Sequence, residues 1–152
     1  MKQGELKLPY LFQPGQLGRF KIKNRIKYGA CCVSNYNTRD GYITEREFAR
    51  MRIIARTGCG MITNQGAYPD PLGEGKAYFR QVAIFDDKFL PQFERIAADI
   101  KEQGAMAIQQ ILHAGRYGGI DLGYCIQPSD VPQTLPHFRP PKVMTKEEIR
   151  EC

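Results

Sequence analysis

Short runs of β-branched, aromatic and other apolar residues alternate with segments of helical period between Ile26 and Leu112, and this alternation restricts the fold more than any other feature of the chain. Ile26 to Val33 reads as a strand, followed by a polar loop from Ser34 to Gly41. Thr44 and Glu47 have capping-box spacing, Phe48, Met51, Ile54 and Ala55 recur on one helical face, and Gly58 supplies a stop, so the spacing predicts a helix. Met61 to Asn64 offers a short buried strand after Gly60, and Pro69 to Gly75 is rich in turn formers. From Asp86 the helical period returns through Phe89, Phe93, Ile96, Ala97 and Ile100, with Pro91 in the first turn and Gly104 at the end. Ala105 to Leu112 reads as a third strand.

Strand, helix, strand, helix, strand is the order of a parallel α/β architecture, because parallel neighbours require a crossover and the helices then cover the sheet. Ahead of it, Leu11 to Ile26 places Pro14-Gly15 and Gly18 between apolar stretches, the pattern of a turn and a small hairpin. Behind it, Gly118 to Val143 is rich in proline and glycine without a period and reads as a long loop. Thr145 and Glu148 then repeat the capping box and open another helix, about two turns before Cys152. Three parallel strands leave an open edge. The expectation is therefore one domain, residues 1–152, that is truncated or is completed by a partner chain.

An apolar share of 42% with 25% charged residues is ordinary for one soluble domain. No run approaches the roughly 18 apolar residues of a membrane span, and the charged start leads into no signal-peptide core, so the expectation is a cytoplasmic protein without a membrane partner. Five cysteines without a C-x-x-C pair write neither a disulfide framework nor a metal motif, and free thiols are expected. The net charge of +6 is spread among acidic residues, which suits a solvated surface or an anionic small-molecule ligand and gives no basic patch for nucleic acid.

In a parallel barrel, chemistry sits at the carboxyl ends of the strands and in the loops beyond them. Those positions hold Ala30-Cys31-Cys32, Gln65-Gly66 and Gln110-Ile111-Leu112-His113-Ala114-Gly115-Arg116. From residue types alone, Cys31 and Cys32 are small buried strand residues facing opposite ways. Gly66 is a turn glycine or a site of close ligand approach. Gln110 is a buried glutamine satisfied by backbone, or an amide that meets a ligand with donor and acceptor together. His113 serves its own loop or a ligand, and Arg116 pairs with a carboxylate or a phosphate. His137 is a loop residue.

Lys23-Asn24-Arg25-Ile26 after the Leu11-Phe12-Gln13-Pro14 opening, Gly60-Met61-Ile62, and above all Gln110-x-x-His113-Ala114-Gly115-Arg116 resemble, in order, the signatures of the Old Yellow Enzyme family of NADH:flavin oxidoreductases. The likeness runs from about Leu11 to Ile149 and is greatest to the dienoyl-CoA, enoate and aryl-CoA (naphthoyl-CoA) reductase group. It implies the N-terminal portion, about three βα units, of a TIM (β/α)8 barrel that binds FMN and takes hydride from NAD(P)H. The acceptor it implies is an activated double bond in a small-molecule substrate, such as an unsaturated carbonyl, an enoyl-CoA or an aryl-CoA thioester. By position, Ala30 and Cys31 match backbone contacts to the flavin ring, Cys32 a residue that tunes it, Gly66 a close approach and Gln110 the pyrimidine edge. His113 and Arg116 match the same cofactor region. The larger members add a [4Fe-4S] cluster and FAD after the barrel. Substrate-anchoring residues and the proton donor are expected downstream, so no catalytic residue is named. An amine dehydrogenase of the same family and a non-catalytic barrel-fragment subunit, with homo-oligomerisation open in each case, are the alternatives.

Overall fold

The computed structural model describes residues 7–131 and 139–151. Gly15–Leu17 (β1) and Phe20–Ile22 (β2) form the expected antiparallel hairpin, with Gly18 at φ +57 in its turn. The main sheet has the order Lys27–Tyr28 (β3), Met61–Ala67 (β4), Met106–Ile111 (β5), and both pairings are parallel. Glu45–Ala55 (α1) and Leu90–Glu102 (α2) are the crossovers, with a 3-10 turn at Asp87–Phe89 leading into α2.

The core lies between these helices and β4. Ile43, Phe48, Met51, Ala55, Ile62, Ala67, Val82, Ile96, Ile100 and Ala105 form one buried cluster, and the helical residues in it follow the apolar stripe of the sequence. Asn64 shares a hollow with Phe93, Ile96 and Ile100 on the helix side, so alternation along β4 turns Thr63 and Gln65 to the opposite face. Arg52 reaches Asp99 at 3.3 Å and Arg95 reaches Glu45 at 2.8 Å, which joins the outer surfaces of α1 and α2.

Two of the matched sequence segments prove to be structural partners. The Asn24 side chain accepts from the Ile26 amide at 3.1 Å and donates to the Gly58 carbonyl at 2.7 Å. Gly60 lies so close to Asn24 that a Cβ there would collide with its backbone carbonyl. The amides of Gly60 and Met61 both meet the Ile26 carbonyl, so this clamp sets the register in which β4 enters the sheet.

Several expectations are corrected. The first strand covers only Lys27–Tyr28, because residues 29–33 leave the sheet as a loop. The second is longer than expected and runs through Gln65 and Gly66 to Ala67. Helix α1 starts where expected but without its capping box: the Thr44 hydroxyl donates to the Tyr36 carbonyl and Glu47 is held by Arg50. The box at Thr145 and Glu148 does form, with reciprocal bonds of 2.8 and 3.2 Å, at the start of Lys146–Glu151 (α3). The long-loop reading of Gly118 to Val143 misses Cys125–Gln127 (β6) and Pro141–Val143 (β7), which pair in parallel. His137 and Cys152 lie outside the described residues.

Met51 is fully buried between α1 and the sheet. Met51→Ala is expected to lower unfolding free energy by about 2–5 kcal/mol, measured by urea denaturation. Ile53→Ala on the exposed face of α1 should change it by less than about 0.5 kcal/mol.

Candidate functional site

The register between β4 and β5 slips at one place. Asn64 pairs with Gln109 and Ala67 with Ile111, so Gln65 and Gly66 together oppose Gln110 alone. This is a β-bulge, which frees backbone groups and re-aims side chains. The freed carbonyls are taken by side chains: Gln109 Nε2 donates to the Gln65 carbonyl at 2.8 Å, and Gln81 Nε2 donates to the Gly66 carbonyl at 3.0 Å. Asn64 Nδ2 bonds Gln109 Oε1 at 2.9 Å and fixes the side chain that does this.

The bulge brings two of the expected site residues together. A Cβ on Gly66 would stand 2.6 Å from Leu112 Cβ and 3.0 Å from Gln110 Oε1. Gly66 is therefore required by its own neighbours, whatever ligand approaches it. Gln110 is exposed at the end of β5, not buried as one reading of the sequence held.

Beyond β3, Ala30 is half-buried, while Cys31 and Cys32 are both exposed free thiols, not buried strand residues. Each lies beside a phenol. Burial, and next the Cys31 thiol, raise the Tyr28 phenol above its usual value against the pull of Arg50. Burial and the Cys32 thiol push the Tyr78 phenol up strongly, so it stays a neutral donor across ordinary pH. That hydroxyl donates to Gln65 Oε1 at 3.0 Å, while Gln65 Nε2 is a buried donor with no partner among the described residues. Arg50 holds the buried Glu47 through two bonds of 2.6 and 2.7 Å and reaches the Tyr28 hydroxyl at 3.1 Å. Tyr78 thus bonds Gln65 at the bulge and lies near the Cys32 thiol beyond β3.

His113 is placed by its own surroundings. Its ring covers Gly75 so closely that a Cβ there would collide with it, and its Nδ1 accepts from the Gly115 amide at 3.1 Å. That acceptor role puts the ring proton on Nε2 in the neutral form. Arg116 is exposed, with its guanidinium 5.3 Å from the Tyr117 ring centroid. The loops carrying these groups converge on Lys76, which is 5% exposed. Its ammonium donates to Asp121 at 2.6 Å and to the Arg39 carbonyl at 3.2 Å, so it joins the loops that follow β3, β4 and β5.

Sequence reading did not single out Tyr78, Gln65 as a side chain, or the Glu47–Arg50 pair. Tyr78 sits in an aperiodic loop, where no pattern marks it. The amides Gln65, Gln109 and Gln110 clustered at strand ends were the available signal. No helix among the described residues is long and apolar enough to cross a membrane, and no group of three or more His, Cys, Asp or Glu among them is placed to hold a metal ion.

A family model described as NADH:flavin oxidoreductase / NADH oxidase matches residues 10–152. An NADH oxidase of Thermoanaerobacter brockii is 32% identical over 146 residues, which cover 94% of this chain and 22% of that protein. A solved 2-naphthoyl-CoA reductase in complex with 2-naphthoyl-CoA aligns with a TM-score of 0.86 and 31% identity, over 93% of this chain and 23% of that one. The old yellow enzyme from Trypanosoma cruzi, at 20% identity, shares the fold with a TM-score of 0.76 over 95% of this chain and 44% of its own. The described strands and helices are thus the N-terminal portion of a TIM barrel, and the chain spans only 22% to 44% of the length of these three proteins.

Two measurements probe this geometry. Gly66→Val, which forces side-chain atoms onto Leu112, should cost about 1–3 kcal/mol of stability in urea. Tyr68 is raised from its ordinary 10 to about 12 by burial and then by Asp70, Asp121 and Asp40. The folded state keeps a proton there that the unfolded chain releases, so its contribution is full below pH 10 and is lost as pH rises toward about 12. Stability measured across that window should fall, and Tyr68→Phe should make the fall shallower.

Proposed function

This chain belongs to the NADH:flavin oxidoreductase / NADH oxidase family, and from that premise we propose that it forms the flavin-facing N-terminal part of an FMN-dependent oxidoreductase. The reading is that NAD(P)H is the electron donor and an unsaturated carbonyl or CoA thioester is the acceptor. The observation that carries it is the bulge, which sets the exposed Gln110 amide beside Gly66 while Cys32 stands across from them through Tyr78 and Gln65.

These residues fit a flavin. A carboxamide offers one donor and one acceptor in a plane, matching the alternating carbonyls and N–H of a pyrimidine edge. Gln110 is exposed to make that contact. Ala30 and Cys31 would offer backbone groups to the ring, and the Cys32 thiol a weak donor. The Gln65 amide nitrogen, without a partner among the described residues, gives the site one more polar group to satisfy. His113 would act through the shape of its loop, and Arg116 would lie toward the phosphate side. FMN, when bound, supplies the hydride chemistry; the chain supplies the orientation and the exclusion of water.

A thioester acceptor is supported by the likeness to the 2-naphthoyl-CoA reductase. In the same reading, the rest of the barrel comes from further chain or from a partner subunit, and any [4Fe-4S] cluster and FAD lie outside the residues described above. Homo-oligomerisation belongs to this reading too.

Titration of the full chain with FMN, followed by flavin fluorescence, tests the proposal. Gln110→Ala should weaken binding about tenfold. Cys32→Ala should retain FMN but shift its absorption band and reduction potential. An unchanged FMN affinity in Gln110→Ala would overturn the assignment of the pyrimidine edge.

A further inference from the structure

Beyond the strand ends lies a hollow of about 520 Å³ lined by Asn35, Arg39, Lys76, Phe79, Arg80 and Asp121. These residues come from the loops after β3, β4 and β5, on the face that carries the candidate site. Asp121 is already engaged by Lys76 at 2.6 Å. The guanidinium groups of Arg39 and Arg80 are exposed and have no hydrogen-bond or ion-pair partner among the described residues. Two unbalanced positive charges therefore face the hollow. Phe79, 57% exposed, stands between Arg80 and the inward-turned Tyr78 in sequence.

Local structure holds this arrangement in place. Asn35 and Arg80 both adopt left-handed backbone, at φ 69 and 58, and the Asn37 side chain donates to the Arg80 carbonyl at 3.4 Å. Lys76 ties the Arg39 segment to the loop that carries Phe79 and Arg80. The volume falls in the usual range for a small-molecule site of about 300–1,000 Å³.

Planar guanidinium groups match phosphate oxygens in pairs, and an exposed aromatic face accepts a purine ring. We propose that this hollow binds the phosphorylated adenosine diphosphate end of a nucleotide-bearing ligand, with Arg39 and Arg80 on the phosphates and Phe79 on the base. Two ligands carry that chemistry: coenzyme A, with a phosphate on the ribose 3′ position, and NADPH, with one on the 2′ position. Tyr78, adjacent to Phe79, bonds Gln65 at the bulge, so one loop connects the hollow to the candidate flavin site. The inference rests on the flavin-barrel reading only for what the other end of the ligand does.

Calorimetric titration of the full chain with coenzyme A, dephospho-coenzyme A, NADP+, NAD+ and pyrophosphate tests it. Coenzyme A should bind about tenfold more tightly than dephospho-coenzyme A, or NADP+ about tenfold more tightly than NAD+. The first result assigns the hollow to the acceptor and the second to the electron donor. Arg39→Gln and Arg80→Asn should each weaken the preferred ligand about tenfold, with asparagine chosen because it tolerates the left-handed backbone. Phe79→Ala should weaken that ligand and leave pyrophosphate unchanged, while Arg19→Gln on the β1–β2 hairpin should change nothing. Loss of preference for the ribose phosphate, or unchanged affinity in both arginine variants, overturns the inference. An FMN titration of the same samples separates the two readings: FMN binding without nucleotide binding sinks the hollow alone, and nucleotide binding without FMN sinks the flavin site alone.

Discussion

The candidate site depends on one irregularity, the extra residue where β4 passes Gln110 of β5. Regular pairing would satisfy the carbonyls of Gln65 and Gly66 with backbone amides and keep the side-chain alternation of β5 in step with β4. The bulge breaks that alternation and leaves polar backbone in a buried place, which is tolerated only when other donors arrive. Gln109 and Gln81 supply them. The same slip seats Gln110 beside a residue that cannot carry a side chain, since Leu112 occupies the space above Gly66.

Around this point the charged groups are arranged to hold backbone and loops. Glu47 is fully buried and would be costly alone; the two-point grip of Arg50 compensates it and reaches on to Tyr28. Lys76 works similarly on the loop side, where a single ammonium joins segments that are 37 and 45 residues apart in sequence. The loops that follow β3, β4 and β5 are thereby tied into one continuous surface. The candidate flavin contacts and the basic hollow are neighbouring parts of that surface.

The sheet itself is unfinished on both sides among the described residues. β3 and β5 are edge strands of a parallel sheet; parallel sheets occur almost only with both faces covered, and an open edge presents unpaired backbone groups. Ile111 on β5 is 64% exposed, and Asn64, Phe93, Ile96 and Ile108 border an apolar hollow next to that edge. These are the surfaces that further strands and helices of a closed barrel would cover.

The sequence by itself determined the alternation of strands and helices, because helix period, proline and glycine positions and the N-terminal signals act over a few residues. It also placed Gly66 and Gln110 near the ends of their strands, whereas Ala30 to Cys32 proved to lie in the loop beyond β3. A capping pattern does not by itself decide which bonds form: at Thr44 the hydroxyl goes to Tyr36 and Glu47 to Arg50, whereas the Thr145 box forms even though Lys142 also grips Glu148. The three-residue strands β6 and β7 left no period to read. Only the tertiary structure decided the bulge, the Tyr78–Gln65 bond beside it, and the Lys76 tie. Each depends on which residues of separate segments come face to face, and that follows from register and packing over tens of residues, not from any local pattern.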